Sequence, residues 1–299
     1  MASIIEQLKY KYKNGDVMMR LIFINVAVFL LIQVIAVFCT LFNLSYEPLV
    51  EYVAVPSNLH RLITRLWTPI TYMFVHETIL HLLFNMLWLY WFGNIFLQYF
   101  TGRTLGSLYI LGGLSGALLF LLAFNTIPYY VQMGNGVMIG ASAAVMAIVM
   151  GAAFYRPEVR LNLFLFGSIQ IIYIALFVFV IDFLSLSKST NPGGHIAHIG
   201  GALAGYIFAV QYRNGHDITA WLSRLMDGFF NIFKPRQKRK RQKPEMKVTH
   251  RKPESDSDYN HRKHQEQEQI DAILDKLKQS GYNSLSSEEK KKLFDASKK

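Results

Sequence analysis

The stretch "HIAHIGGALAG", which begins at His195 and ends at Gly205, places two histidines among small residues in an otherwise apolar run. Ala197, Gly201 and Gly205 recur every four residues, so a helix would carry them as one smooth stripe along its side. Such stripes let the backbones of two membrane helices approach closely. The stretch therefore predicts a tightly packed transmembrane helix with ionisable groups beside its packing surface.

The composition of the rest of the chain also indicates a membrane protein. Of its 299 residues, 52% are hydrophobic and 22 are phenylalanine, which is too apolar for a soluble domain of this size. The single cysteine, Cys39, lies inside an apolar run, so the sequence offers neither a disulfide framework nor a cysteine-based metal site. We expect no metal ion and no other cofactor.

Six membrane spans are predicted from the uncharged runs, because about 20 apolar residues cross ~30 Å of hydrocarbon. They cover residues 21–42, 80–99, 105–124, 141–154, 161–184 and 196–212. The fourth is too short to cross alone, so Ser142 near its start should lie below the outer surface. Most lysines and arginines fall on one side of this arrangement, and the positive-inside rule then places both termini in the cytoplasm.

The chain is expected to divide into four parts. They are a cytoplasmic N-terminal segment (1–16), the membrane domain (17–212), an amphipathic helix with a basic disordered linker (213–269), and a small helical unit (270–299). In the last part, Ser286 and Glu289 have the spacing of a capping box, which marks a helix start. This unit is too short for a large core, and we interpret it as a docking unit for another protein.

The basic linker carries ten lysines and arginines between Lys234 and Lys252, against Glu245 alone. Such a run can bind nucleic acid. Directly after a membrane domain, however, it more simply contacts anionic lipid and marks the cytoplasmic side. We therefore expect an anionic lipid surface as its partner, and no nucleic acid.

Few polar side chains fall within the predicted spans, and because they are costly there, each is a functional hypothesis. His81 and Asn85 are four residues apart, so both lie on one face of the second span. Ser142 is in the fourth span, and His198 lies one residue from the small-residue stripe of the sixth. Serine, histidine and such a polar pair are the nucleophile, general base and oxyanion donors that acyl transfer requires.

Two further ionisable groups, Asp182 and His195, accompany these residues. Asp182 is expected to reach the interface or to hydrogen-bond within the bundle rather than to take part in chemistry, and the sequence assigns His195 no role. Taken singly, a membrane serine is more often a helix-packing residue, and a buried histidine is more often a hydrogen-bond partner. The hypothesis of a catalytic site depends on the combination.

Three motifs, "HETILHLLFNM" from His76, "GAS" from Gly140 and "AHIGGALAG" from Ala197, together resemble the rhomboid intramembrane serine proteases. The resemblance covers roughly residues 17–212. It implies an all-α, polytopic, six-transmembrane-helix bundle with a cytoplasmic tail. We expect an integral protein of a bacterial inner membrane that cleaves single-span membrane proteins near the outer membrane face.

For the chemistry, the resemblance implies a dyad without an acid. Ser142 would attack the peptide carbonyl, and His198 would act first as general base and then as acid. The oxyanion would be held by the side chains of His81 and Asn85 and by the Ser142 N–H. The residues expected to support this site are Gly140, Met146, Gly201 and Gly205; at Met146 the family often has an aromatic residue, and a thioether can also pack on imidazole.

Two alternatives remain open at this point. A catalytically inactive relative that binds membrane proteins would be expected to have lost Ser142 or His198, and both are present. A six-helix transporter with a histidine-lined path would be expected to carry an internal repeat, and the sequence has none that we detect.

Overall fold

The computed structural model describes residues 15–163, 167–186, 191–233 and 256–296 of the chain. Contacts divide the chain into two compact units, Met1–Pro235 and Arg236–Lys299, and both are mostly helical. Most of the predicted N-terminal segment and the basic run between Lys234 and Lys252 lie outside the described residues.

The first unit contains one short 3₁₀ helix, Tyr72–Phe74, and eleven described α-helices. In chain order they are α1 (Val17–Leu41), α2 (Glu47–Val53), α3 (Leu59–Ile63), α4 (Thr68–Thr71), α5 (Ile79–Leu97), α6 (Gly102–Thr126), α7 (Pro128–Gln132), α8 (Ser142–Tyr155), α9 (Ile171–Ser185), α10 (Pro192–Arg213) and α11 (Ala220–Phe233). Two antiparallel strand pairs accompany them, β1 (Val55–Pro56) with β2 (Val137–Met138), and β3 (Arg160–Leu163) with β4 (Gly167–Gln170). Among the described residues, α1, α5, α6 and α10 are long and apolar enough to cross a membrane, whereas α8 and α9 are shorter apolar helices.

The predicted fifth span is wrong in its first part. Residues 161–184 were expected to form one helix, but β3 and β4 form a hairpin, and α9 begins only at Ile171. Leu161 and Leu163 alternate with a polar residue, which is the period of a strand rather than of a helix. Gly167 has a φ of 72°, a left-handed conformation that glycine adopts readily, and it opens the returning strand.

The core of the first unit is formed where α6, α8 and α10 meet. A Cβ added to Gly201 would overlap the carbonyl oxygen of Ala143, and one added to Gly205 would overlap that of Ala147. A Cβ on Gly116 of α6 would lie 2.6 Å from the Cβ of Ala143 on α8 and 2.9 Å from the carbonyl oxygen of Ala197 on α10. The small-residue stripe therefore brings α10 against α8, as the sequence predicted, and α6 packs against both of these helices.

The segment between α1 and α5 is held against the bundle by buried tyrosines. The Tyr72 hydroxyl donates to the carbonyl of Gly113 at 2.7 Å, and the Tyr109 hydroxyl donates to the carbonyl of Met73 at 3.0 Å. Further out, the Trp67 indole N–H donates to the Tyr52 carbonyl at 2.9 Å. These bonds fix the loop that leads into α5 and its polar residues.

Helix α11 has the two-sided character that the sequence predicted. Leu222 is buried, and the Ser223 hydroxyl lies 2.7 Å from that of Ser107 on α6, whereas Trp221 and Leu225 are exposed. An exposed apolar edge of this kind is typical of a helix that lies in a membrane interface.

The second unit pairs α12 (Asp256–Ser280) with α13 (Ser287–Ala296). The Ser286 N–H donates to the Glu289 carboxylate at 2.7 Å, and the Glu289 N–H donates to the Ser286 hydroxyl at 3.3 Å, so the predicted capping box is confirmed. The interpretation of residues 256–269 as disordered linker is wrong, because α12 begins at Asp256. Side-chain pairs one turn apart stabilise it, including His264 with Glu268 at 3.3 Å.

Candidate active site

Ser142 lies at the first position of α8, where a loop is fixed from two sides. Strand β2 pairs with β1 just before it, and the Gly140 N–H donates to the Tyr72 carbonyl at 2.9 Å. The residue preceding the helix, Ala141, provides no side-chain cap. The first-turn N–H groups of α8, which have no partner within the helix, therefore surround the serine with positive partial charge.

One cavity of about 450 Å³ brings the predicted residues together. It is lined by residues from four helices, among them His81, Asn85, Ser142, Met146, Asp182 and His198. A cavity of this size accommodates a short stretch of polypeptide side chains. Gly201 and Gly205 do not line it; they set the distance between the helices that carry Ser142 and His198.

His81 and Asn85 enter the cavity from the first turns of α5. The Thr78 hydroxyl caps this helix by accepting from the His81 N–H at 3.2 Å. The Asn85 side-chain amide donates to the His81 carbonyl at 2.9 Å. An amide nitrogen has two N–H groups, so Asn85 retains a second donor while the first orients its side chain.

Gly140 makes room for the His81 ring. A Cβ at this position would lie 2.9 Å from His81 Cε1, 3.0 Å from Nε2 and 3.6 Å from the Ser142 hydroxyl oxygen. The φ of Gly140 is 121°, which also disfavours any other residue. The glycine of the "GAS" motif therefore allows the imidazole and the serine to approach the same point.

His198 has a carboxylate partner that the sequence did not reveal. Its Nδ1 lies 2.9 Å from Asp182 Oδ1, and the Nδ1 of His195 lies 2.7 Å from the same oxygen. Asp182 is only 5% exposed, so this carboxylate lies between α9 and α10 and not at the surface. The expectation that Asp182 hydrogen-bonds within the bundle is confirmed, and His195 gains a contact.

Asp182, His195 and His198 also form a potential metal site in the described part of the chain, because their possible ligand atoms all lie within 4.8 Å of one another. Two imidazoles and one carboxylate suit zinc or a similar ion. An ion there would compete for the Nδ1 and carboxylate atoms that are now joined by hydrogen bonds.

His76 lies behind the cavity in the loop before α5. It is 1% exposed, and its ring centroid lies 5.1 Å from that of His81 in an edge-on arrangement. Burial, assisted by repulsion from His81, lowers the pKa of His76 from 6.5 to about 4. Histidine 76 is therefore neutral in the folded protein near neutral pH.

This burial predicts an acid-sensitive fold. Between about pH 6.5 and pH 4 the unfolded chain binds a proton at His76 and the folded chain does not, so stability is lost as the pH falls through this window. Thermal unfolding in detergent should show a smaller decrease in Tm between pH 7 and pH 4.5 for His76→Gln than for the wild type. The same pH dependence in both proteins would assign the acid sensitivity to other groups.

The fold and the cavity define an α-helical integral membrane protein in which a serine and a histidine from neighbouring helices line one cavity. The chain belongs to the rhomboid family, since the family described as Rhomboid domain matches residues 64–214. A second family, described as a family of unknown function (DUF6576), matches residues 254–299, which include α12 and α13.

A curated relative supports the same assignment. RHOMBOID-like protein 12, mitochondrial, of Arabidopsis thaliana is 30% identical over 160 residues, which make up 50% of this chain and 48% of the relative. The chain thus spans about half the length of that relative.

Proposed function

We propose that this protein is an intramembrane serine endopeptidase. The observation that carries the proposal is that Ser142, His198, His81 and Asn85 line one and the same cavity. These side chains supply a nucleophile, a base and two hydrogen-bond donors, which are the groups that hydrolysis through a covalent serine intermediate uses.

In the proposed reaction the Ser142 oxygen adds to a substrate carbonyl carbon while its proton passes to His198. The resulting oxyanion accepts hydrogen bonds from His81, Asn85 and the Ser142 N–H. The intermediate collapses when His198 gives the proton to the leaving amine nitrogen, and an ester remains on Ser142. Water then attacks the ester carbonyl carbon as His198 takes its proton, and His198 returns that proton to the Ser142 oxygen when the ester bond breaks and the new carboxyl terminus is released.

We propose single-span membrane proteins as substrates, cut near the outer membrane face. The short α8 supports this, because a 14-residue helix is only about 21 Å long, which is less than the ~30 Å thickness of the hydrocarbon core. Ser142, at the first position of this helix, is therefore proposed to lie below the outer surface. Helical carbonyls are engaged in hydrogen bonds, so cleavage is expected where residues of low helix propensity, such as glycine or serine, loosen the substrate helix.

The function is tested by labelling detergent-solubilised protein with a fluorophosphonate, which reacts with activated serines. The wild type should be labelled and should cleave a model single-span substrate, whereas Ser142→Ala should do neither. His198→Ala keeps the hydroxyl but lacks the base, and it should label far more slowly. Wild-type protein that is folded, unlabelled and inactive would instead support the catalytically inactive relative.

For orientation, we propose that both termini are cytoplasmic, in a bacterial inner membrane, because of the charge asymmetry of the loops. Single cysteines at Asn135 and at Lys243, in a background lacking Cys39, should differ in intact cells. A membrane-impermeant thiol reagent should label only the site at Asn135. Labelling only of the cysteine placed at Lys243 would show that the orientation is the reverse of the one proposed.

The tail is proposed to anchor or dock and not to catalyse, because all the proposed reacting groups precede Tyr206. The basic run is proposed to bind anionic lipid, and α12 with α13 to bind another protein. A chain that ends at Gly215 should still cleave substrate in detergent. A peptide that covers residues 234–252 should bind anionic vesicles, and this binding should weaken as the salt concentration rises. Loss of cleavage in the folded truncated protein would contradict this division.

A further inference from the structure

We propose that Asp182 is a positioning residue that selects the catalytic tautomer of His198, while Ser142 and His198 remain the two reacting side chains. The proposal rests on the proposed protease function. Its basis is the 2.9 Å contact between Asp182 Oδ1 and His198 Nδ1.

The contact determines which nitrogen of His198 carries the proton. An ionised carboxylate only accepts hydrogen bonds, so the Nδ1 atom that it contacts must be the N–H donor. In a neutral imidazole the other nitrogen, Nε2, is then unprotonated and can accept the serine proton. Without the carboxylate, the reverse tautomer, which cannot act as a base through Nε2, becomes accessible.

The carboxylate itself is held in place by a second histidine. His195 Nδ1 lies 2.7 Å from the same oxygen, three residues before His198 on α10. Within the described residues, Asp182 Oδ2 is buried without a hydrogen-bond partner, so both polar contacts of this carboxylate pass through Oδ1. Its orientation is therefore set by the two imidazoles, and theirs by the carboxylate.

A purely structural role, in which Asp182 only joins α9 to α10, makes different predictions. Loss of such a link would lower Tm and affect substrate binding and turnover together. A positioning role lowers kcat and leaves KM and folding largely unchanged, because it acts on the chemical step through His198. Asp182 lines the cavity, and Asp182→Asn keeps a side chain of the same size there. The tautomer of His198 also changes only under the positioning role.

The decisive experiment measures kcat, KM, Tm and histidine ¹⁵N NMR spectra in detergent with EDTA present. Asp182→Asn, which preserves the shape of the side chain, should lower kcat at least about 10²-fold at similar KM and Tm. His195→Gln leaves the contact between Asp182 and His198 and should cost less. Asp227→Asn, which removes a carboxylate 3.6 Å from Arg103 in an exposed pair, should match the wild type.

The NMR measurement needs no carboxylate variant. In the wild type, the His198 signals, identified by their loss in His198→Gln, should report protonation at Nδ1 and a free Nε2. Protonation at Nε2, or a folded Asp182→Asn protein within threefold of wild-type kcat, would overturn the proposal. If the wild type neither cleaves nor labels at Ser142, the protease function fails, and the tautomer still decides whether Asp182 positions His198.

Discussion

Replacing Asn85 with alanine should lower kcat by about 10²- to 10³-fold while the protein remains folded. This is the usual cost of removing one preorganised donor from an oxyanion site. Asn85 is 7% exposed, and its amide donates to the His81 carbonyl at 2.9 Å. That carbonyl lies within α5, so loss of the side chain leaves the helix backbone bonds in place.

A matched control lies on the same helix. The Asn94 side chain donates to the carbonyl of Tyr90 at 2.7 Å, which repeats the local bond of Asn85 about two and a half turns further along α5 and outside the cavity. Asn94→Ala should therefore retain wild-type kcat. His81→Ala should be milder than Asn85→Ala if the remaining donors share the charge. Equal turnover in Asn85→Ala and the wild type would exclude Asn85 from the oxyanion site.

The residues of this site could be predicted from the sequence because each has a local signature. His81 and Asn85 share a helix face by spacing alone, and Ser142 and His198 are recognisable beside small residues that indicate close packing. Because polar side chains are costly inside a membrane, each of them stood out within an apolar run. The cavity then brings these four side chains together, although their catalytic roles remain predictions.

The role of Asp182 as a partner of His198 had no such signature. Sixteen residues separate them, and their contact depends on how α9 is rotated about its axis, which periodicity in a uniformly apolar helix does not reveal. The hairpin before α9 was missed for a related reason. Short apolar runs suit a strand and a helix equally well, and the only local signals against the helix were the brief alternation around Asn162 and the glycine at Gly167.

The prediction with the greatest structural effect concerns Gly201. Alanine is the better helix former by about 1 kcal/mol, so on an isolated helix Gly201→Ala would stabilise. In the protein, the added Cβ would overlap the Ala143 carbonyl oxygen, and a backbone atom cannot rotate away as a side chain can. Helices α8 and α10 must separate, and we expect a destabilisation of about 3 kcal/mol or more.

The same separation should also affect catalysis, because α8 carries Ser142 and α10 carries His198. A misplacement of about 1 Å between reacting groups can cost on the order of 10²-fold in rate. Gly228→Ala is the control, since a Cβ on this helical glycine of α11 meets no atom within 4 Å. Unfolding in detergent and kcat measured together should show both losses in Gly201→Ala and neither in Gly228→Ala. If Gly201→Ala kept both its Tm and its kcat, the close approach of α8 and α10 could not be what sets the distance between serine and histidine.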